Sequence, residues 1–183
     1  MSYDLYLYKS SLGKPDIDEA SKVIEDDGDI WVKKSYNYEN KTAIEKSLMN
    51  VDPTLEAFNY EQLAQKQRKT IDEVRGNFMK FELNSVNPDI QVEIYDYHVA
   101  ISVPYVYQGE SAKKAFEKLT LYVDTINKVA GYFLYDPQTA EVYDPATQKL
   151  AGLSKYLSVS NDFDSIVNSV KTGQNKKPWW KIW

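Results

Sequence analysis

Residues 78–103 read FMKFELNSVNPDIQVEIYDYHVAISV and contain the clearest structural pattern in the chain. Hydrophobic and polar residues alternate over 78–83 and again over 90–94, and this period of two is typical of half-buried β-strands. Asn87-Pro88 marks a turn between these two runs, and a tight turn precedes a third run at 98–103. Three strands with such short links favour an antiparallel meander.

Further strands are predicted on both sides of the meander. Tyr3–Lys9 alternates near the N-terminus, and Ile30-Trp31-Val32 is typical of a short strand or extended segment. Tyr132–Tyr135 and Glu141–Tyr143 flank Asp136-Pro137, a pair that favours a type I turn. These last two segments therefore read as a hairpin.

The longest predicted helix covers residues 111–130. Its apolar residues recur at steps of three and four, so they form one stripe that must pack against a flat partner. Gly131 follows directly, at the position where a left-handed residue commonly ends a helix.

Several shorter helices are predicted from capping boxes, in which an N-cap side chain is followed three residues later by Glu or Gln. The pairs are Asp16 with Glu19, Thr42 with Glu45, Asn59 with Gln62, and Thr70 with Glu73. A last helix is predicted over about 162–171.

Together these elements predict an α+β fold. We expect an antiparallel sheet of about five to six strands with one long helix packed on it and several short helices. Residues 1–175 form a single α+β domain in this interpretation, and residues 176–183 form a Trp- and Lys-rich tail.

The composition predicts a soluble cytoplasmic protein. The chain has 183 residues, 43% of them hydrophobic and 27% charged, and it has no cysteine. No apolar run approaches the roughly 20 residues of a membrane span, and the N-terminus does not resemble a signal peptide. The net charge of −5 disfavours nucleic-acid binding, which needs a basic surface.

Residue types that carry common chemistries are scarce. His98 is the one histidine; Glu93 or Asp96 would orient it, yet the chain lacks a G-x-S-x-G nucleophile motif. The acids around Gly28 lack the ligand spacing of a calcium-binding EF-hand loop. Glycine-rich phosphate-binding loops are also missing. We therefore expect no metal, no cofactor and no catalytic residue.

The residues in excess are those of recognition surfaces. The chain has 15 Tyr and 4 Trp, and acids are concentrated in its first thirty residues. Tyr and Trp dominate interface hot spots, and acids attract a basic partner. Several tyrosines fall on predicted strands or their ends: Tyr3, Tyr6, Tyr8, Tyr95, Tyr97, Tyr105 and Tyr107. Our predicted partner contacts are Asp26, Asp27, Asp29, Tyr95, Asp96 and Tyr97.

Three segments together carry a family resemblance: Met1–Tyr6, Phe81–Asn84 and Gly131–Gln138. They resemble a family of small, uncharacterised bacterial cytoplasmic proteins, some of which are similar to immunity proteins of interbacterial toxin systems. The resemblance transfers no catalytic residue. It implies a protein that neutralises a cognate toxin by direct binding, with a basic toxin domain as the expected partner.

Two other interpretations stay open at the level of sequence. One is a small enzyme or ligand-binding domain with its site near His98 and the tyrosine-rich strands. The other is a structural module whose tail, ending in Trp179-Trp180-Lys181-Ile182-Trp183, binds a membrane or a larger assembly. Packing of this tail on the domain is the simpler expectation, because exposed aromatic residues promote aggregation.

Overall fold

A computed structural model describes residues 2–25, 37–78 and 80–161 of the chain. Four predictions lie outside these residues: the segment 30–32, the acidic contacts Asp26, Asp27 and Asp29, the helix over 162–171, and the tail at 176–183. The described residues share one hydrophobic core.

The described part contains one sheet of seven strands in which every neighbouring pair is antiparallel. In chain order the strands are β1 (Ser2–Tyr8), β2 (Glu56–Ala57), β3 (Phe81–Val86), β4 (Asp89–Ile94), β5 (His98–Pro104), β6 (Phe133–Asp136) and β7 (Glu141–Tyr143). Their order across the sheet is β2-β3-β4-β5-β1-β6-β7. The α+β class and the β3–β4–β5 meander are confirmed. The strand that the sequence did not predict is β2, which is too short to show a period.

Five helices accompany the sheet over residues 17–130 of the described ranges: α1 (Ile17–Glu25), α2 (Tyr38–Val51), α3 (Tyr60–Gln67), α4 (Ile71–Gly76) and α5 (Gly109–Ala130). Residues 153–161 are helical as well, ahead of the predicted start of the last helix. The long helix is confirmed, and it ends as expected at Gly131 with φ +66°.

The capping predictions were confirmed in three places and wrong in one. Thr70 and Glu73 form a complete capping box at α4, and Asn59 caps α3. The Asp16 carboxylate accepts a hydrogen bond from the backbone N–H of Glu19 at 3.0 Å. Thr42 instead lies inside α2, where its hydroxyl donates to the Tyr38 carbonyl at 2.9 Å. A Thr-x-x-Glu pattern within a helix thus imitated a helix start.

Two helices, α2 and α5, pack against each other and cover one face of the sheet. The β1 side chains that point to this face, Tyr3, Leu5 and Leu7, are fully buried, because alternate residues of a strand point to the same side. Ile101 lies opposite Leu5 on β5 and is also fully buried. The core therefore lies between the sheet and these two helices.

A polar network ties the end of α2 to α5. Asp52 directly follows α2, and its carboxylate lies 2.9 Å from the Lys118 ammonium. Thr54 donates to it through its backbone and its hydroxyl, and the Tyr122 hydroxyl donates as well. Burial opposes ionisation of Asp52, yet these donors outweigh it and hold the pKa of the carboxyl well below its usual range.

This network predicts a pH-dependent loss of stability. Because the folded-state pKa of Asp52 is lowered, its contribution is present at neutral pH and is lost as the pH falls below about 4, the ordinary aspartate pKa. We expect Asp52→Asn to lower the free energy of unfolding by about 2 kcal/mol at pH 7. Urea titrations between pH 7 and pH 3 should show that the intact chain and Asp52→Asn become closer in free energy of unfolding as the pH falls. Asp124→Asn, at an exposed site on α5, serves as control; a pH-independent cost for Asp52→Asn would contradict the prediction.

Candidate functional site: the polar face of the sheet

The side of the sheet opposite α2 and α5 carries polar and aromatic side chains, most of them partly or fully exposed. We call this side the polar face and define it by Asp4, Tyr6, Glu82, Asn84, Gln91, Glu93, Ala100, Ser102, Tyr135 and Val142. Strand register aligns six of these residues in one row across the sheet: Glu82, Glu93, Ala100, Tyr6, Tyr135 and Val142. Side chains contributed by distant parts of the chain therefore lie side by side.

Aromatic rings occupy the middle of the polar face. Tyr6 stacks on Tyr135 with ring centroids 6.4 Å apart and an interplanar angle of 30°. The His98 ring lies 6.3 Å from Tyr6 and stacks on Tyr95 at 4.4 Å. Tyr8, the next β1 residue on this side, is fully buried, and its hydroxyl bonds the Asp16 backbone ahead of α1. The accessible aromatic surface is thus centred on Tyr6 and Tyr135.

Acidic groups border these rings. Glu93 accepts from the Tyr95 hydroxyl at 3.1 Å and pairs with the Lys80 ammonium, and both members of that pair are partly exposed. Burial raises the pKa of the Tyr6 phenol, and the negative charges of Asp4 and Glu93 raise it further. Those two carboxylates therefore create a negative potential at Tyr6, which would favour a cation there.

Between these groups the side chains of β5 are small, and we call the space above them the trough. Its floor is formed by Ala100 and Ser102, which are small and partly exposed. Tyr6 stands on one side of Ala100 and Glu93 on the other, each on a neighbouring strand. Since adjacent strands lie about 4.8 Å apart, the two backbones that carry these walls are about 9.6 Å apart.

The three predicted contacts near the β4–β5 turn differ in accessibility. Tyr97 is 47% exposed, and Tyr95 stacks on His98 at the end of the trough. Asp96 is only 5% exposed, and its carboxylate lies 3.0 Å from the Lys41 ammonium. The Asp96 carboxylate therefore serves an internal ion pair, whereas Tyr95 and Tyr97 keep the accessibility that a partner contact requires.

Several tyrosines that the sequence grouped with a recognition surface belong to the interior. Tyr3 and Tyr105 are buried on the helix-covered side, and the Tyr3 hydroxyl donates to the buried carboxylate of Asp136. The Tyr107 hydroxyl accepts from the Asp89 backbone at 2.5 Å. Of the tyrosines grouped in this way on β1, only Tyr6 is accessible on the polar face.

His98 is 3% exposed and lies between Tyr95 and Tyr6. Its ring therefore forms part of an aromatic stack next to the trough. Within the described residues, no group of three or more His, Cys, Asp or Glu side chains is arranged to hold a metal ion.

Sequence reasoning missed Tyr135 and Ala100 as members of the site and named Glu93 only as a residue that would orient His98. Tyr135 belonged to a predicted hairpin, and nothing local to it indicates that β6 pairs with β1. The alternating pattern of β4 and β5 could have placed Glu93 and Ala100 on this face, because every second residue of these strands is buried and these two are partly exposed.

Comparisons of the chain with protein families, with curated protein sequences and with solved structures found no match. None of the helices in the described ranges combines the length and apolarity that crossing a membrane requires. The function is therefore inferred from the polar face itself.

Proposed function

We propose that this chain is a protein-binding domain, an immunity protein that neutralises a cognate bacterial toxin by binding it directly. The observation that supports the proposal is the polar face, where the Tyr6–Tyr135 stack lies beside the carboxylates of Asp4 and Glu93. Tyrosine contributes a large contact area with few rotatable bonds, so such pairs serve as interface anchors. The bordering carboxylates favour a partner with a positively charged surface.

The partner in this proposal is a basic protein domain. Acidic residues on a face accelerate the approach of a basic partner and suppress self-association, because two copies of the same acidic face repel each other. A toxin that acts on nucleic acid has the required basic surface, since it must bind phosphates. Covering that surface would inhibit the toxin without any chemical step.

The proposal predicts that polar-face variants lose protection. The gene next to this chain's gene is expected to encode the toxin, and bacteria producing that toxin should survive when the intact chain is co-expressed. We expect Tyr135→Ala to weaken the complex at least about thirtyfold in Kd, measured by calorimetry, and to reduce survival.

Leu121→Ala is the matched control, because Leu121 is a 40% exposed apolar side chain of α5 on the other side of the sheet. This control should protect as well as the intact chain. Unimpaired protection by Tyr135→Ala would rule out the polar face as the binding surface. An intact chain that neither binds nor protects would overturn the proposed function altogether.

A further inference from the structure

We infer that the trough over Ala100 and Ser102 receives an arginine side chain from an extended segment of the partner. This inference rests on the proposed function and deepens it, because it names the chemistry of the partner residue. It is carried by the small side chains between the two walls, by the position of Tyr6 in the register and by the charges on either side.

The width of the trough fits one side chain. Its walls, Tyr6 and Glu93, are separated by about 9.6 Å at the backbone, and carbon atoms in contact lie about 4 Å apart. One aliphatic stem or one planar guanidinium therefore fits between them, above the methyl group of Ala100. A strand-like partner segment along β5 would place its side chain in this gap.

The position of Tyr6 favours a planar cation. Its ring stacks on Tyr135 of β6, while the register places Ala100 of β5 on its other side, with the His98 ring 6.3 Å away. Arginine stacks on aromatic faces, and its guanidinium stays charged and donates five hydrogen bonds. Arginine therefore matches this wall better than the compact, strongly hydrated ammonium of lysine.

Acceptors for the guanidinium lie on both sides. Each oxygen of Glu93 has one described partner, Lys80 or the Tyr95 hydroxyl, and a carboxylate has about four acceptor positions. Asp4 lies next to Ser102 in the register and contributes a second negative charge. The Lys80–Glu93 pair is partly exposed, so it can share Glu93 with an arriving guanidinium at little cost.

A second copy of the chain is a poor source of this arginine. The sequence contains two arginines, and Arg75 is held by Glu45 at 2.5 Å and lies against the aromatic rings of Tyr60 and Phe81. Arg68 is the other, and docking it would bring two acidic chains together. Charge complementarity therefore points to a basic protein of a different kind.

The test uses the full chain and three probes: acetyl-Val-Arg-Val-amide, the same peptide with neutral citrulline, and the same peptide with lysine. Binding is followed by ¹H–¹⁵N NMR titration at low salt. We expect the arginine peptide to shift the Ala100, Ser102 and Tyr6 amides saturably. The lysine peptide should bind several times more weakly, and the citrulline peptide should bind at least about tenfold more weakly.

Two variants test the site by independent means. Ala100→Leu fills the trough without changing any charge and should abolish the shifts, whereas Glu93→Gln should weaken binding about tenfold. Glu110→Gln, an equal charge change at an exposed position of α5, should leave binding unchanged. Thermal melts confirm that each variant is folded.

Equal binding of the citrulline and arginine peptides would overturn the inference, as would full binding by Ala100→Leu. A dimer that Ala100→Leu disrupts would identify a second copy as the occupant and overturn it as well. If the intact chain neutralises the toxin but binds no arginine peptide, this inference fails while the proposed function stands. If the peptide binds as expected but no toxin is neutralised, the proposed function fails instead.

Discussion

Replacing Lys41 with Met is expected to lower the free energy of unfolding by about 3–5 kcal/mol. Lys41 is fully buried on α2, with its ammonium 3.0 Å from the Asp96 carboxylate and 3.0 Å from the Phe78 carbonyl oxygen. It also lies 4.9 Å from the centroid of the Phe81 ring. Met is close to Lys in length but carries no charge, so the buried Asp96 carboxylate loses the positive charge that lies 3.0 Å away. A loss of this size is a large fraction of a typical domain's stability.

Urea denaturation at pH 7 measures this effect. Lys46→Met is the matched control, because Lys46 is exposed on the same helix and its loss should change stability by less than about 0.5 kcal/mol. The double variant Lys41→Met/Asp96→Asn should cost less than the two single changes added together, since it removes both charges. Equal stability of Lys41→Met and the intact chain would show that the pair does not hold α2 to the β4–β5 turn.

Replacing Gly152 with Ala is expected to destabilise the fold by about 3 kcal/mol, at the upper end of the usual overpacking range. An added Cβ would overlap the Tyr3 hydroxyl oxygen and would lie 2.7 Å from Tyr3 Cζ and 3.2 Å from Asp136 Oδ2. Tyr3 is fully buried, and its ring packs against Phe116 with centroids 5.3 Å apart. The ring is therefore unable to move away without disturbing the centre of the core.

Gly76→Ala is the control for this prediction. Gly76 ends α4, and an added Cβ there would meet open space. Its substitution should leave the melting temperature unchanged or raise it slightly. Calorimetry measures the melting temperatures of both variants. A Gly152→Ala protein with the same melting temperature as the intact chain would contradict the close contact with Tyr3.

Local patterns were enough to predict most of the elements. The β3–β4–β5 meander follows from alternation over residues 78–103 and its short turns, and α5 follows from its apolar stripe and Gly131. Each of these signals lies within a short window of sequence, where periodicity is a direct consequence of geometry. Thr42 shows the limit, because its pattern resembled a cap although Tyr38 already begins the helix.

The order and register of the strands across the sheet could not be predicted from such local patterns. The pairing of β1 with both β5 and β6 joins segments far apart in the chain, and it is this pairing that creates the row through Ala100, Tyr6 and Tyr135. Alternation shows that Tyr6 and Leu5 point to opposite sides of the sheet. It does not show which side packs against the helices. Most of the candidate site therefore emerged only from the register.

Buried charge was equally hidden from the sequence. Asp96 follows Tyr95 in a polar turn, where an aspartate is usually solvated, and Lys41 is one of many lysines. Burial of such residues is rare unless they are paired, and the pairing of α2 with the β4–β5 turn is a tertiary feature. Asp96 was for this reason predicted as a partner contact, although its carboxylate has an internal role.

The central position of β1 has a consequence for how the chain acquires its shape. Residues 2–8 are made before the other strands described, yet their hydrogen-bonding neighbours are residues 98–104 on one side and 133–135 on the other. During synthesis β1 has neither of these partners until residues 98–104 have been made. Pairings between such distant segments slow folding, because loop closure precedes the contacts that reward it. The meander, whose strands are contiguous, is the natural template on which this early strand finally docks.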